Sequence, residues 1–270
     1  MDAKVLSFGD VLLRECDVAT LEPSQWLNDK VIEFYFEYLS RTLLGAGSSD
    51  APAAGSAAGA GVSAGSSTAG GASSSNGAGS ATAAGGAAAG GEGSSAVLLV
   101  GPSVSFWLNI CPSDDDVTET MAPLGVEDKE LIALAVNDNN DPTLAEAGSH
   151  WSLLLFVRSR RLFLHFDSAG SHNLEAAKGL AEKLQALLGV SVTPDTFQSA
   201  STPQQLNGYD CGVYVLAIAK ALCETASAST PGKASAEELE NAAKGVDAAA
   251  VTKLREDVKL LIRHLGKQSE

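Results

Sequence analysis

His150-Trp151-Ser152-Leu153-Leu154-Leu155-Phe156-Val157 runs through Arg158-Ser159-Arg160 into Arg161-Leu162-Phe163-Leu164-His165-Phe166-Asp167. Two apolar, aromatic-rich runs of strand length on either side of a short basic turn predict a β-hairpin. In a hairpin the start of one strand lies beside the end of its partner. His150 opens the first strand and Asp167 closes the second, so the pairing sets an imidazole beside a carboxylate at one end of the sheet. His165 alternates with Phe166 within its strand and has no acidic partner in the pattern, so it is read as structural. His172 and His264 stand in polar contexts and are read as solvated.

Downstream lies Gln204-Gln205-Leu206-Asn207-Gly208-Tyr209-Asp210-Cys211-Gly212-Val213-Tyr214, followed by an apolar run from Val215 to Leu222. The polar half forms turns, and a helical pattern begins at Cys211. A cysteine in the first turn of a helix faces unpaired backbone N–H groups and the positive end of the helix dipole, both of which favour its thiolate. A small buried cysteine opening a core helix fits this stretch alone equally well. The hairpin decides between the two, because a thiol nucleophile needs a base and the base needs a third group to orient it. His150 and Asp167 supply both. Gln205, on the turn that presents Cys211, carries an amide suited to a developing oxyanion, together with the Cys211 backbone N–H.

Outward from these stretches the chain alternates strands and helices. Leu131 to Val136 is a continuous apolar run, expected of a strand covered on both faces. Asn137 to Ser149 is polar and should be a surface loop. Leu174 to Leu188 has helical apolar spacing and closes at Gly189, and Val190 to Thr193 reads as a further strand. Ser235-Ala236-Glu237-Glu238 has capping-box form, and an amphipathic helix should run from about Asp247 to Leu265. Toward the N-terminus, residues 4–13 read as extended and then turning near Asp10. Leu21 to Trp26 is a turn signal around Pro23, and Asn28-Asp29 opens a helix over Lys30 to Leu44. Trp26 and Asp29 flank that helix start, where an aromatic beside polar groups can border a surface groove. Gly101-Pro102-Ser103 marks another helix start. Strands in the middle with helices on both sides give an α+β domain.

Composition sets the outer limits. The chain has 270 residues and a formal net charge of −15, which argues against nucleic acid as a partner. From about Gly45 to Ser95 it is almost wholly Ala, Gly and Ser, without apolar periodicity, and residues 46–95 are read as a disordered insertion within a single domain spanning 1–270. The four cysteines, Cys16, Cys111, Cys211 and Cys223, show no metal-type spacing, and no metal or organic cofactor is implied. They are read as reduced thiols of a cytoplasmic or nuclear protein. No apolar run is expected to approach membrane-spanning length.

The residues also carry a likeness. His150-Trp151-Ser152-Leu153, Phe166-Asp167-Ser168 and Gln205-x-Asn207-x-x-Asp210-Cys211-Gly212 resemble the signature of the Ulp-type, or sentrin-specific, cysteine proteases. The likeness extends to Trp26-Leu27-Asn28-Asp29, to Ala135-Val136-Asn137-Asp138-Asn139 and to Val5-Leu6-Ser7, and points to the deneddylating branch. It implies a papain-like (adenain-like) fold with a central, mostly antiparallel sheet flanked by helices. It also implies Cys211 as nucleophile, His150 as base and then acid, Asp167 as its orienter and Gln205 as oxyanion donor. Trp151, with Trp26 and Asp29, would border a narrow channel for the Gly-Gly tail of a ubiquitin-like modifier, with the loop from Asn137 to Ser149 as a clamp. The implied partners of this monomer are the neddylation modifier and its conjugates such as cullins, with neither nucleic acid nor membrane. Three other functions suit the same residues: a desumoylating enzyme of the same fold, a non-catalytic binder of ubiquitin-like proteins, and an acyltransferase with a related His-acid-Cys site.

Overall fold

The computed structural model describes residues 2–45, 95–144, 147–228 and 234–268. The Ala/Gly/Ser-rich stretch read as a disordered insertion lies outside the described residues, Ser95 excepted. In chain order, β1 (Lys4–Phe8) and β2 (Val11–Arg14) form a small antiparallel ribbon, turned at Gly9 in the left-handed region with φ +56°. A short helix α1 (Glu15–Ala19) precedes the Leu21–Trp26 turn and α2 (Asp29–Thr42). As the sequence predicts, the Asn28 side chain caps α2, accepting from the Val31 N–H at 3.2 Å.

After the undescribed stretch come β3 (Val97–Val100), α3 (Pro102–Ile110), α4 (Asp114–Met121), β4 (Leu131–Asn137), β5 (Trp151–Val157), β6 (Leu162–Phe166), α5 (Leu174–Leu188) and β7 (Phe197–Ser199). Then follow α6 (Cys211–Ala228), α7 (Ala236–Lys244) and α8 (Ala248–Gln268). The strands from β3 to β7 make a five-stranded sheet in sequence order, antiparallel across β4, β5 and β6 and parallel at both edges. The hairpin is β5 with β6, in the register Leu153 opposite Phe166 through Val157 opposite Leu162.

Both faces of the sheet are buried, and the strands' period of two sorts their side chains between two cores. Ala133, Ala135, Leu153, Leu155, Leu164 and Phe166 pack on α2 and α6. Ile132, Leu134, Leu154, Phe156 and Phe163 pack on the opposite side with Leu108 of α3, Met121 of α4 and Leu184 of α5. Burying one such side chain stabilises the fold by about 1.5–3 kcal/mol, so the sheet that carries His150 and Asp167 is a stiff support.

Three features differ from the sequence expectations. Val190 to Thr193 is not a strand: Thr196 Oγ1 donates to the Ser191 carbonyl and accepts from the Thr193 N–H, making a turn, and the strand is instead Phe197–Ser199. α4 was not expected, although Ser113 and Asp116 form a capping box at its start. Finally, α6 is 18 residues long and apolar enough, by length and composition, to cross a membrane. Its apolarity belongs to a core helix, since Val213, Leu216, Ile218 and Leu222 are all buried against its neighbours.

Candidate active site

The hairpin register delivers the first half of the site. His150 directly precedes β5 and Asp167 directly follows β6, and the His150 Nε2–H donates to Asp167 Oδ1 at 2.7 Å with both side chains buried. The carboxylate has further donors: the Ala169 N–H reaches Oδ1 and the Asn173 N–H reaches Oδ2, each at 2.9 Å. Burial pushes the Asp167 pKa up, but the His150 hydrogen bond and these backbone N–H groups outweigh it and hold the carboxyl at about 2. Burial likewise opposes charge on His150, yet its hydrogen bonds with Asp167 and then with Cys211 raise the imidazole to about 9. With Nε2 committed to Asp167, Nδ1 is the nitrogen left for the Cys211 thiol. An imidazole protonated at neutral pH is the partner that a thiolate nucleophile requires, and it holds the proton that a leaving amine needs.

The second half comes from α6. Cys211 is its first residue, and the Asp210 carbonyl accepts from the Tyr214 N–H at 2.9 Å to close the first turn. Gly212 is required by a close approach: a Cβ there would lie 2.9 Å from Leu27 Cβ, so glycine lets the nucleophile's helix seat on the Trp26–Asn28 segment. Gln205 is tied to the acid side, its N–H donating to the Ser168 carbonyl at 2.8 Å. Its Oε1 accepts from Ser168 Oγ at 2.9 Å, and its Nε2 donates to the Asn207 carbonyl at 2.7 Å, which occupies one of two amide hydrogens.

The residues expected to border a substrate channel also converge. Trp26, half exposed, lines a cleft of about 1030 Å³ together with Trp151, Asp29, His150 and the described part of the Asn137–Ser149 loop. The Trp151 indole N–H donates to the Leu27 carbonyl at 3.0 Å, which fixes the ring over the turn that carries Trp26.

Asn137, Asp138 and Asn173 hold the backbone of His150. Asp138 accepts from the backbone N–H groups of Ser149 and His150, at 2.6 and 3.1 Å. The His150 carbonyl accepts from Asn137 Nδ2 and Asn173 Nδ2, at 3.1 and 3.0 Å. Single asparagines and aspartates in loops carry no pattern, so only the Ala135–Asn139 likeness hinted at them. His172, read as solvated, is exposed on one side but lies 4.9 Å, centroid to centroid, from the His150 ring, with Nε2 3.2 Å from Ser149 Oγ. His165 matches its structural reading: it is buried beside Ser152 Oγ at 2.9 Å, and burial lowers its pKa to about 4, so it stays neutral. Cys223 is also unlike a nucleophile, since burial pushes its thiol up to about 12.

Comparison with known proteins fits this geometry. Residues 117–243, which contain His150, Asp167, Gln205 and Cys211, match the catalytic domain of the Ulp1 protease family. NEDD8-specific protease 1 of Arabidopsis thaliana is 32% identical over 99% of this chain and 96% of its own. The chain belongs to the Ulp1 protease family. It is therefore a cysteine peptidase. Sentrin-specific protease 8 of Mus musculus is 30% identical over 100% of this chain and 97% of its own. Among solved structures, the C-terminal Ulp1 protease domain in complex with Smt3, the yeast ortholog of SUMO, superposes with a TM-score of 0.59. That match covers 98% of this chain and 89% of the other at 16% identity, so it speaks for the fold.

Proposed function

We propose that this Ulp1-family peptidase cleaves the acyl bond after the C-terminal glycine of NEDD8, in precursors and in conjugates. The observation that carries the proposal is the Asp167–His150–Cys211 relay, whose His150 lines the cleft together with Trp26 and Trp151. The full-length likeness to NEDD8-specific protease 1 of Arabidopsis thaliana supports NEDD8 as the modifier.

Each residue has a role in the proposed reaction. The Cys211 thiolate adds to the carbonyl of the modifier's terminal glycine. The Cys211 backbone N–H and the second Gln205 amide hydrogen hold the oxyanion. The His150 imidazolium gives its proton to the departing amine, and the neutral ring then draws a proton from the water that attacks the thioester, which expels the thiolate and restores the thiolate–imidazolium pair. Asp167 keeps the ring oriented throughout. Trp26, Trp151 and Asp29 border the passage for the modifier's tail; glycines, lacking side chains, thread between indoles where most residues would collide.

The wider assignments rest on the same basis. Residues 1–270 form one catalytic domain acting as a monomer, with NEDD8 conjugates such as cullins as partners in the cytoplasm or nucleus. A net charge of −15 suits neither nucleic acid nor an anionic membrane surface. The test is release of a C-terminal fluorophore from NEDD8, SUMO and ubiquitin by the wild-type chain and by Cys211→Ser. Turnover of the NEDD8 substrate alone, reduced by about 10⁴-fold or more in the variant, is expected. Preference for SUMO would overturn the specificity and keep the chemistry. Binding without turnover would overturn the chemistry.

A further inference from the structure

Arg255 sits on α8, far in sequence from every residue of the relay, and is buried. A buried guanidinium persists only if its donors are matched, and a guanidinium has five. All of them have acceptors, and none of those belongs to α8. Nε and Nη2 both reach Asp210 Oδ1, at 3.2 and 2.8 Å, and Nη2 also reaches the Tyr209 carbonyl at 3.2 Å. Nη1 reaches the carbonyls of Thr20 and Glu22 at 3.0 and 3.4 Å. The acceptors therefore lie on two segments: the turn that ends in Cys211 and the turn that leads to Trp26.

From Asp210 a chain of side-chain bonds continues toward the oxyanion donor. Asn207 Nδ2 donates to Asp210 Oδ2 at 2.8 Å, and Asn207 Oδ1 accepts from the N–H groups of Tyr209 and Asp210 at 3.0 Å each. The Asn207 carbonyl in turn holds Gln205 Nε2. Between Leu206 and Tyr209 the turn before α6 has no sheet or helix bonds, so this network sets its shape there. We propose that Arg255 is a positioning residue, which holds Cys211 and Gln205 in register through Asp210 and Asn207 and locks that turn against the one bearing Trp26. The proposal rests on the catalytic reading of Cys211 given above. The guanidinium also neutralises the Asp210 carboxylate, which adjoins the nucleophile and, left unpaired, would oppose a thiolate there.

Arg263 on the same helix provides the control. Its two terminal nitrogens each donate to Glu15, at 2.6 Å, in an exposed pair that has no acceptor on the turn before α6. The experiment compares the wild-type chain with Arg255→Gln, Arg255→Lys and Arg263→Gln. It measures melting, kcat and KM on the NEDD8 fluorophore substrate, and the rate at which iodoacetamide alkylates the Cys211 peptide, followed by mass spectrometry. Arg255→Gln should lower kcat by about tenfold or more with KM within about threefold, and slow Cys211 alkylation by about fivefold. Arg255→Lys, which keeps the charge and loses the fork, should recover the alkylation rate but only part of kcat. Arg263→Gln should leave both unchanged. If Arg255→Gln does not fold, Arg255→Lys decides alone through its loss of kcat. Wild-type kcat and alkylation in folded Arg255 variants, or losses that only track the unfolded fraction, would overturn the proposal. If the wild-type chain cleaves no modifier, the functional reading fails, and the alkylation rates still decide the role of Arg255.

Discussion

The two halves of the site are built by different means. His150 and Asp167 stand at the end of a hairpin whose register is fixed by two apolar cores, so their 2.7 Å contact follows from strand pairing. Gln205 stands on a turn without regular structure, shaped by Asn207, Asp210 and Arg255, and that turn delivers Cys211 to the start of α6. Gln204 links the halves, with Nε2 donating to the Asp167 carbonyl at 3.0 Å and Oε1 accepting from the Gly170 N–H at 2.6 Å. A sheet end gives rigidity cheaply because backbone bonds and packing supply it. A turn must obtain the same rigidity from side chains, one bond at a time.

Breaking the sheet half should have the largest effect. Asp167→Asn removes the charge that orients His150 and stabilises its protonated form, and kcat should fall by about 10³–10⁴-fold with the fold retained. A loss under tenfold would mean that strand pairing alone suffices to set the imidazole. Breaking the turn half should cost less: Gln205→Ala is expected to lower kcat by about 10²–10³-fold. Its Cys211 alkylation rate should stay near wild type, which separates the oxyanion donor from the nucleophile that Arg255 serves. Equal losses in both measurements would show that Gln205 shapes the turn instead.

The smallest effect is on stability, and its sign follows from the two shifts. Asp167 is held at about 2 against 3.8, so its contribution is whole above pH 3.8 and fades as pH falls through 2. His150 is held at about 9 against 6.5, so its contribution is whole below pH 6.5 and fades as pH rises through 9. The melting temperature of Asp167→Asn should therefore fall furthest below wild type between roughly pH 4 and 6.5, and the gap should narrow above pH 9. A gap that is constant across that range, followed by circular dichroism, would remove the ion pair from the account.

What the sequence revealed divides along the same line. Alternation and turn chemistry made the β5–β6 hairpin legible, and with it the neighbours His150 and Asp167. Cys211 at a helix start and Gln205 on the turn before it were legible because a helix boundary has local signals. The braces were not. Arg255 reaches Asp210 and the Thr20 carbonyl across long sequence separations, and no periodicity announces such a pairing. Asp138 and Asn173 act through side-chain bonds to backbone, and His172 meets His150 only because two loops fold to the same sheet end. Val190 to Thr193 misled for the opposite reason: its alternation is that of a strand, yet Thr193 and Thr196 turn the chain there, and Phe197–Ser199 pairs with β6 in its place.

The whole site depends on Cys211, the proposed nucleophile for the C-terminus of NEDD8. The most direct measurement is to incubate the wild-type chain with NEDD8, SUMO and ubiquitin, each carrying an electrophile in place of its terminal carboxylate, and to locate the adduct by mass spectrometry. A single adduct is expected with the NEDD8 probe, on Cys211, and none on the exposed Cys16. An adduct on Cys16, or labelling by SUMO or ubiquitin in preference to NEDD8, would contradict it.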